Sequence, residues 1–258
     1  MRIRLSAAVL AMALSLPGLA LAADDPAARK IIDTMEAHNS AGFQTGQSKT
    51  LITLKLANGK EKTWVTLARV ARKDGKLRTR VTFLEPAESV GTELLMLEQG
   101  KGQVAQYLYL PKTRRLRRMG GSDKNTAFMG TDFSFGDLES AGLQKGQAKK
   151  LGNDAVGGIP CAHLDVVSDD PEDAYGHVEL WIDEKASVPR QMKFFGKDGA
   201  PVKTLIVDAV GDVDGHATLK KFRMLGLQRG SVTTVETRDI DTKAVLVDGL
   251  FDPDSLGR

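Results

Sequence analysis

The residues that could do chemistry in this sequence are four histidines, one cysteine and a short acidic run. His38, His163, His177 and His216 are scattered along the chain, so a metal site would need ligands assembled from distant segments. Residues 169–173 are mostly acidic, but they lack the spaced ligands and the turn glycine of a calcium-binding loop. We therefore predict solvated or hydrogen-bonded histidines, a polar hairpin loop at 169–173 and no metal site.

The sequence lacks the local motifs that common catalytic and nucleotide-binding sites require. Gly-x-Ser-x-Gly, His-Glu-x-x-His, a phosphate-binding glycine loop and Cys-x-x-Cys each need a fixed spacing, and none of them occurs. Cys161 lies in an apolar strand context, where a single cysteine is more often a small buried hydrophobic residue than a nucleophile. We expect a protein that is not an enzyme, with no catalytic residue and no cofactor.

The densest charge feature is the basic run at 112–118. It contains Arg114, Arg115, Arg117 and Arg118, which could contact anionic lipid head groups or an acidic partner. A solvated strand face or turn is the alternative interpretation. The formal net charge of the whole chain is only +3, so a general electrostatic attraction to nucleic acid is not expected.

The first 22 residues have the pattern of a signal peptide. Arg2 and Arg4 precede an apolar run at 5–16, which is too short for a membrane span of about 20 residues. We predict cleavage after Ala22 and a mature chain that is free in the periplasm or secreted. The remaining chain has a single cysteine, so it can form no intramolecular disulfide, and its stability must come from its core.

After the leader, the periodicity predicts one amphipathic helix followed by about a dozen strands. Asp-Asp-Pro at 24–26 is a helix start, and Asn-Gly or Asp-Gly pairs separate later runs that alternate with period two. In the strand at 76–84 this alternation places Arg80 on a solvated face. A sheet of this length must curl to cover its apolar side, which predicts an antiparallel β-barrel or half-barrel.

One segment, from 120 to 141, fits neither the strand period nor a long helix. Its large apolar residues need burial, so we predict short helices that form a lid over the barrel mouth and can swing on neighbouring glycines. We call residues 120–141 the lid segment. Its predicted covering residues are Phe128, Met129, Phe133 and Phe135.

The chain between 107 and 138 resembles the outer-membrane lipoprotein-sorting protein family, the LolA-like proteins. The resemblance consists of Tyr-Leu-Pro at 109–111, spaced arginines at 114–118, Gly-Ser-Asp at 121–123, Phe-Met-Gly-Thr-Asp-Phe-Ser at 128–134 and Asp-Leu at 137–138. The order of leader, helix and strands extends the resemblance over nearly all of the mature chain.

This resemblance implies a LolA-like lipid-binding domain over 23–258, a mainly β half-barrel whose hydrophobic concave face is covered by the N-terminal helix and the lid. It also implies a monomeric periplasmic carrier that takes acyl chains of a lipoprotein or phospholipid towards the outer membrane. The implied partners are an inner-membrane transporter and an outer-membrane acceptor, with transient contact to the membrane surface. A lipid-sensing envelope-stress protein or transporter accessory is the alternative, and a lipid hydrolase is the third interpretation.

A lipid cavity needs apolar surface more than exact chemistry, because each methylene group removed from water gains about 0.8 kcal/mol. Methionine suits such a wall, since its unbranched side chain adapts to different ligand shapes. The predicted lipid-binding residues are Phe83, Leu95, Met192, Phe194, Phe222 and Met224. A slip of one residue in strand register would turn any of them to the other face.

Overall fold

The computed structural model describes residues 24–38, 43–100, 102–139, 143, 146–247 and 249–258. The predicted signal peptide lies outside these residues, as do residues 140 and 141 of the lid segment. The elements are α1 (Pro26–His38), β1 (Thr45–Lys55), β2 (Glu61–Lys73), β3 (Lys76–Glu85), β4 (Glu93–Gly100), β5 (Gln103–Leu110), β6 (Arg115–Met119), β7 (Gly146–Val156), β8 (Ile159–Ser168), β9 (His177–Asp183), β10 (Val188–Phe195), β11 (Pro201–Val213), β12 (His216–Gly226) and β13 (Ser231–Asp241). No helix in this part of the chain has the length and apolar character needed to cross a bilayer.

The thirteen described strands form one antiparallel sheet. Their order is β6-β5-β4-β3-β2-β1-β13-β12-β11-β10-β9-β8-β7, so β6 and β7 are its two edges and the sheet does not close. The centre of the sheet is the pairing of the first strand with the last, in which Ile52 lies opposite Val235. The predicted mainly β, unclosed barrel is confirmed.

Tight hairpins with Asp-Gly turns explain how the chain folds into this meander. Asp74 and Gly75 both have positive φ angles, 53° and 74°, between the paired strand ends Lys73 and Lys76. A two-residue hairpin turn of the type that matches strand twist requires positive φ at both positions, which aspartate and glycine tolerate. The local sequence therefore sets the register of β2 against β3.

The concave face of the sheet carries two apolar clusters. The first, which we call the filled half, is built on β1 to β6, and the second, the hollow half, is built on β7 to β12 together with α1. The filled half comprises Ile52, Leu54, Trp64, Phe83, Leu94, Leu108, Met119, Phe128 and Phe135. The core of the hollow half comprises Ala28, Ile32, Met35, Phe133, Ala148, Ala162, Leu164, Val166, Val178, Leu180, Ile182, Phe194 and Met224.

The outer face of β3 and β4 is covered by the C-terminal residues 249–258, which corrects the expectation that Arg80 is solvated. The guanidinium of Arg80 donates to both carboxylate oxygens of Glu93, and it also donates to the carbonyl oxygen of Leu250 at 3.0 Å. Arg80 is only 6% exposed. Burial of an arginine is tolerated here because a carboxylate and a carbonyl oxygen accept hydrogen bonds from its guanidinium.

Candidate functional site

A cavity of about 470 Å³ lies in the hollow half, between the concave face of β9–β12, α1 and the lid segment. Its volume falls within the range of about 300–1,000 Å³ that is typical of small-molecule sites. The apolar residues that line it are Met35, Phe133, Leu138, Leu143, Val178, Met192, Phe194, Leu205, Leu219, Phe222 and Met224. The cavity therefore has a predominantly hydrocarbon wall with several flexible side chains.

Strand register explains why these side chains face the cavity together. Met192 of β10 lies opposite Leu205 of β11, and Leu205 lies opposite Met224 of β12. Residues that pair directly in an antiparallel sheet project to the same face, so these three form one row across the wall. Phe194 and Val178 form a second row in the same way.

The helix α1 forms the cover on the side of β7. Asp24 Oδ1 accepts a hydrogen bond from the backbone nitrogen of Ala148 at 2.8 Å, and Asp25 Oδ2 accepts one from the backbone nitrogen of Lys150 at 3.1 Å. The apolar side of the helix then packs into the hollow half, where Met35 lines the cavity. The acidic residues that start the helix therefore also tie it to the sheet.

The lid segment crosses the concave face between the two halves. Phe133 points into the hollow half and meets the ring of Phe222 edge to face, with ring centroids 6.1 Å apart. Phe128 and Phe135 instead pack on each other in the filled half at 5.4 Å, and Met129 packs against the same cluster. Of the four predicted lid residues, Phe133 lines the cavity and the other three fill the neighbouring half.

The six predicted lipid-binding residues are divided in a similar way. Met192, Phe194, Phe222 and Met224 line the cavity. The other two need correction.

Phe83 is on the concave face as expected, but it meets no void. It is only 1% exposed and packs against Phe128, with ring centroids 5.8 Å apart, so the space in front of it is occupied.

Leu95 lies on the outer face, opposite Arg80 in the β3–β4 pair. Its neighbour Leu94 faces the filled half, and successive strand residues project to opposite faces. Leu95 is buried in the outer layer and has no contact with the cavity wall.

The middle of the lid segment is anchored by polar groups whose pairing could not be predicted from the sequence. The carboxylate of Asp132 accepts hydrogen bonds from the hydroxyls of Ser231, at 2.5 Å, and Thr233, at 2.7 Å. Gly226 permits this approach, because a Cβ atom there would collide with the carboxylate. Arg229 also donates to the carbonyl oxygen of Gly130 at 3.3 Å. These contacts fix the middle of the segment to β12 and β13.

A buried polar network joins the end of the lid segment to the cavity wall. Asp137 forms an ion pair with Lys203 of β11, and the hydroxyl of Tyr175 donates to Asp137 Oδ1 at 3.0 Å. The ammonium of Lys203 lies 4.7 Å from the ring centroid of Tyr175 and 5.0 Å from that of Phe194. The backbone nitrogen of Ser134 donates to the other oxygen of Asp137 at 2.6 Å.

Burial has opposite effects on the two titratable partners of Asp137. It lowers the pKa of Lys203, an effect that the negative charge of Asp137 opposes. Burial, reinforced by the charge of Asp137, raises the pKa of Tyr175, so this hydroxyl stays protonated and can donate. The network joins the end of the lid segment to the cavity wall, and we call it the latch.

The mouth of the cavity is acidic. The β8–β9 loop contributes Asp170, Glu172 and Asp173 to the lining. This loop meets the lid segment where the side-chain amide of Asn125 donates to the carbonyl oxygen of Glu172 at 2.8 Å. The acidic run at 169–173, predicted to be a plain polar loop, therefore forms part of the rim.

The four predicted head-group arginines do not line the cavity. Arg115, Arg117 and Arg118 lie in β6, which is an edge strand, and Arg114 lies in the turn before it. All four are exposed, and Arg117 pairs with Asp123 at 2.5 Å. Their contact with a membrane or an acidic partner stays a prediction.

The histidines and the cysteine have structural surroundings. His163 stacks on Trp181 with ring centroids 4.2 Å apart, and His38 is 2.7 Å from the carbonyl oxygen of Ala217. Cys161 is buried, and burial raises the pKa of its thiol. Within the described ranges, no three or more His, Cys, Asp or Glu side chains are placed to hold a metal ion.

Solved structures with the same fold are found in several bacteria. A domain described as an outer membrane lipoprotein-sorting protein domain from Vibrio parahaemolyticus has a TM-score of 0.83 at 24% identity, over 90% of this chain and 99% of that one. A DUF1329 family protein from Desulfovibrio piger has a TM-score of 0.80 at 23% identity, over 89% and 98%. A LolA superfamily protein from Nitrosomonas europaea has a TM-score of 0.68 at 18% identity, over 88% and 98%.

The resemblance to LolA-like proteins is thereby confirmed at the level of the fold. A search of curated proteins found no match. A family model described as "Uncharacterized protein" matches residues 75–258, which is well over half of the chain. The chain belongs to the family that this model describes, and it has the LolA-like fold.

Proposed function

We propose that the protein is a periplasmic carrier that holds the acyl chain of a lipoprotein or another lipid in the cavity of the hollow half. The observation that carries this proposal is the apolar cavity of about 470 Å³ under a lid segment that is anchored to the sheet. Its LolA-like fold, shared with a lipoprotein-sorting domain, supports the same function.

Hydrocarbon burial supplies the binding energy that such a carrier needs. An acyl chain with about ten buried methylene groups gains roughly 8 kcal/mol before the costs of association and chain ordering are subtracted. The wall rows of Met192, Leu205 and Met224 provide this contact without directional bonds. A non-enzymatic role is part of the proposal, and the mainly apolar wall of the cavity supports it.

Loading and release of a lipid require part of the lid segment to move. The contacts that hold this segment indicate which part can do so. Asp132 and the buried ring of Phe135 hold the middle of the lid segment. We therefore place the opening movement at the end of the segment, where the Asp137–Lys203 pair joins it to the wall. The predicted swing of the whole lid segment thus becomes a local movement of its end.

The exposed arginines of β6 lie outside the cavity, which suits a docking function. We propose that they place the protein transiently on an anionic membrane surface, or on an inner-membrane transporter and an outer-membrane acceptor. The carrier would act as a monomer.

Native mass spectrometry of the protein expressed in a Gram-negative periplasm tests the proposal. A co-purifying acylated species is expected, and lipid extraction should identify it. Leu205→Trp fills the cavity and should abolish this mass, whereas Ile206→Trp, which changes the adjacent residue on the other face of β11, should retain it. If neither the natural protein nor Ile206→Trp carries lipid, the carrier proposal is wrong.

A transfer assay separates a carrier from a lipid sensor. Protein loaded with a fluorescent acyl lipid is mixed with acceptor vesicles, and a carrier should release its ligand to them. A sensor using the same cavity would retain the ligand.

A further inference from the structure

We propose that the cavity selects its ligand by charge, preferring an acyl chain whose polar end carries an amine over one that ends in a phosphate or carboxylate. The inference rests on the proposed function, because it assumes that the cavity receives an acyl chain. To the proposed function it adds the chemical class of the ligand's head group.

The lining of the cavity is strongly asymmetric in charge. Lys124 is the one lysine or arginine among the described residues that line it. The acidic residues of the lining are Glu36, Asp137, Glu139, Asp170, Glu172 and Asp173. A cavity with one sign of charge and low-dielectric walls concentrates its field on whatever enters.

Two of these carboxylates are neutralised by neighbours. Asp137 is paired with Lys203, and Glu139 is paired with Lys124 at 2.6 Å. The ammonium groups of Lys124 and Lys203 are thus paired with carboxylates, and that of Lys197, in the β10–β11 turn, donates to the carbonyl oxygen of Pro171.

Of the other four acidic residues, Glu36 belongs to α1, and Asp170, Glu172 and Asp173 belong to the β8–β9 loop at the mouth. Within the described residues, no ion pair involves Asp170, Glu172 or Asp173. Asp170 Oδ1 accepts a hydrogen bond from the backbone nitrogen of Glu172 at 2.9 Å, and Asp173 Oδ1 accepts one from the backbone nitrogen of Tyr175 at 3.2 Å. These turns hold the two aspartates in place at the rim.

The charge of this loop also acts on a neighbouring residue of the cavity wall, Tyr175. After burial and the charge of Asp137, the charge of Asp173 also contributes to raising the pKa of Tyr175. An anionic head group brought to the same place would meet the same repulsion. An amine brought to the mouth would instead be attracted by the carboxylates of this loop.

The four arginines of β6 and its preceding turn do not offset this asymmetry, because none of them is among the lining residues. They can attract the protein to an anionic surface from outside. The surface that meets a membrane and the cavity that receives a ligand therefore have opposite signs of charge.

Displacement of a neutral fluorescent probe by dodecylamine, dodecanol and dodecyl phosphate tests the inference. The protein is purified from the periplasm, washed free of lipid, and titrated below the concentration at which each ligand aggregates. Dodecylamine is expected to bind about tenfold or more tightly than dodecyl phosphate at low salt, and added salt should reduce this ratio.

A triple variant, Asp170→Asn, Glu172→Gln and Asp173→Asn, should remove most of the preference, measured as the ratio of the affinities for dodecylamine and dodecyl phosphate. Asparagine at the two turn positions retains an oxygen that can accept the backbone hydrogen bonds. The matched control removes three exposed carboxylates away from the cavity by Glu61→Gln, Glu88→Gln and Asp239→Asn. This control should keep the preference for the amine.

The outcomes separate the two proposals. If dodecyl phosphate binds as tightly as dodecylamine, or if the triple variant keeps the full preference, the charge inference is overturned and the carrier proposal stands. If none of the three ligands displaces the probe, the proposed function itself fails and the charge inference fails with it.

Discussion

The two halves of the concave face are built on the same sheet with the same alternation, yet one is solid and the other contains a cavity. In the filled half, the rings of Phe128 and Phe135 occupy the space in front of Phe83. In the hollow half, Phe133 and α1 cover the strands without filling the space between them. The covering segments, and not the strands, therefore decide where a ligand can enter.

Replacing one lid phenylalanine in each half should give the largest difference. Phe135→Ser removes a buried ring from the filled half and should lower the free energy of unfolding by about 3–5 kcal/mol, as large-to-small core changes do. Phe133→Ser removes a ring that borders an existing cavity, so its cost should be clearly smaller, and its main effect should be faster lipid exchange. Urea denaturation and a lipid-exchange assay measure the two effects.

The far-ultraviolet circular dichroism spectrum of Phe133→Ser serves as the control and should match that of the unchanged protein. Equal destabilisation by the two substitutions would mean that Phe133 is ordinary core and that the halves do not differ in packing.

A second variant tests the latch between the lid segment and the wall of the hollow half. Lys203→Met leaves the buried carboxylate of Asp137 without its cation and should cost about 3 kcal/mol, the low end for a broken buried pair. The low end is expected because Tyr175 and the backbone of Ser134 still donate to Asp137. Thermal or urea unfolding measures the loss.

The double variant Lys203→Met with Asp137→Asn provides the matched comparison. Because it removes both charges, it should recover part of the lost stability and should also exchange lipid faster than the natural protein. A double variant with the summed cost of both single changes would show that the two residues are not coupled.

The smallest expected effect is on the hydrogen exchange of α1, the helix that covers the hollow half. Hydrogen bonds from Arg29 and from the backbone of Ala148 lower the pKa of Asp24 from its ordinary 3.8. A carboxyl group with a lowered pKa stabilises the fold above its ordinary value, and this contribution disappears as the pH falls through the lowered pKa. Hydrogen exchange of α1 amides should therefore accelerate below pH 3.8 relative to amides of β3.

Asp24→Asn should show this faster exchange already at neutral pH and a smaller acid-dependent step, because Asp25, whose pKa is also lowered, remains. A helix whose exchange is the same in both proteins at every pH would mean that Asp24 does not hold the cover in place.

The strands and turns were predictable because their signals are local. Asp-Gly pairs fix two-residue turns, and Met192 and Phe194, like Phe222 and Met224, are spaced by two, so each pair shares one face. The prediction for Leu95 was wrong because this residue lies in a Glu-Leu-Leu-Met-Leu run. Polar and apolar residues do not alternate in that run, so it does not indicate which face of the sheet Leu95 occupies.

The rest of the site depends on contacts between distant residues. The prediction that Phe83 faces a void was wrong because Phe128, from another part of the chain, fills the space in front of it. Arg80 was expected in water because nothing local indicates that the C-terminal residues cover it. The Asp137–Lys203 pair joins residues that are 66 positions apart, and the periodicity of the sequence does not predict such a pair.

The pairing of β1 with β13 has a consequence for how the molecule is made. The strand at the start of the fold hydrogen-bonds to the strand at its end, with Lys49 opposite Arg238. Proteins whose contacts join distant parts of the chain fold slowly, because the long loop must close before the contact stabilises it. The sheet cannot be completed until β13 is available to pair with β1, so an edge of β1 that is paired in the folded protein stays open while the intervening strands form.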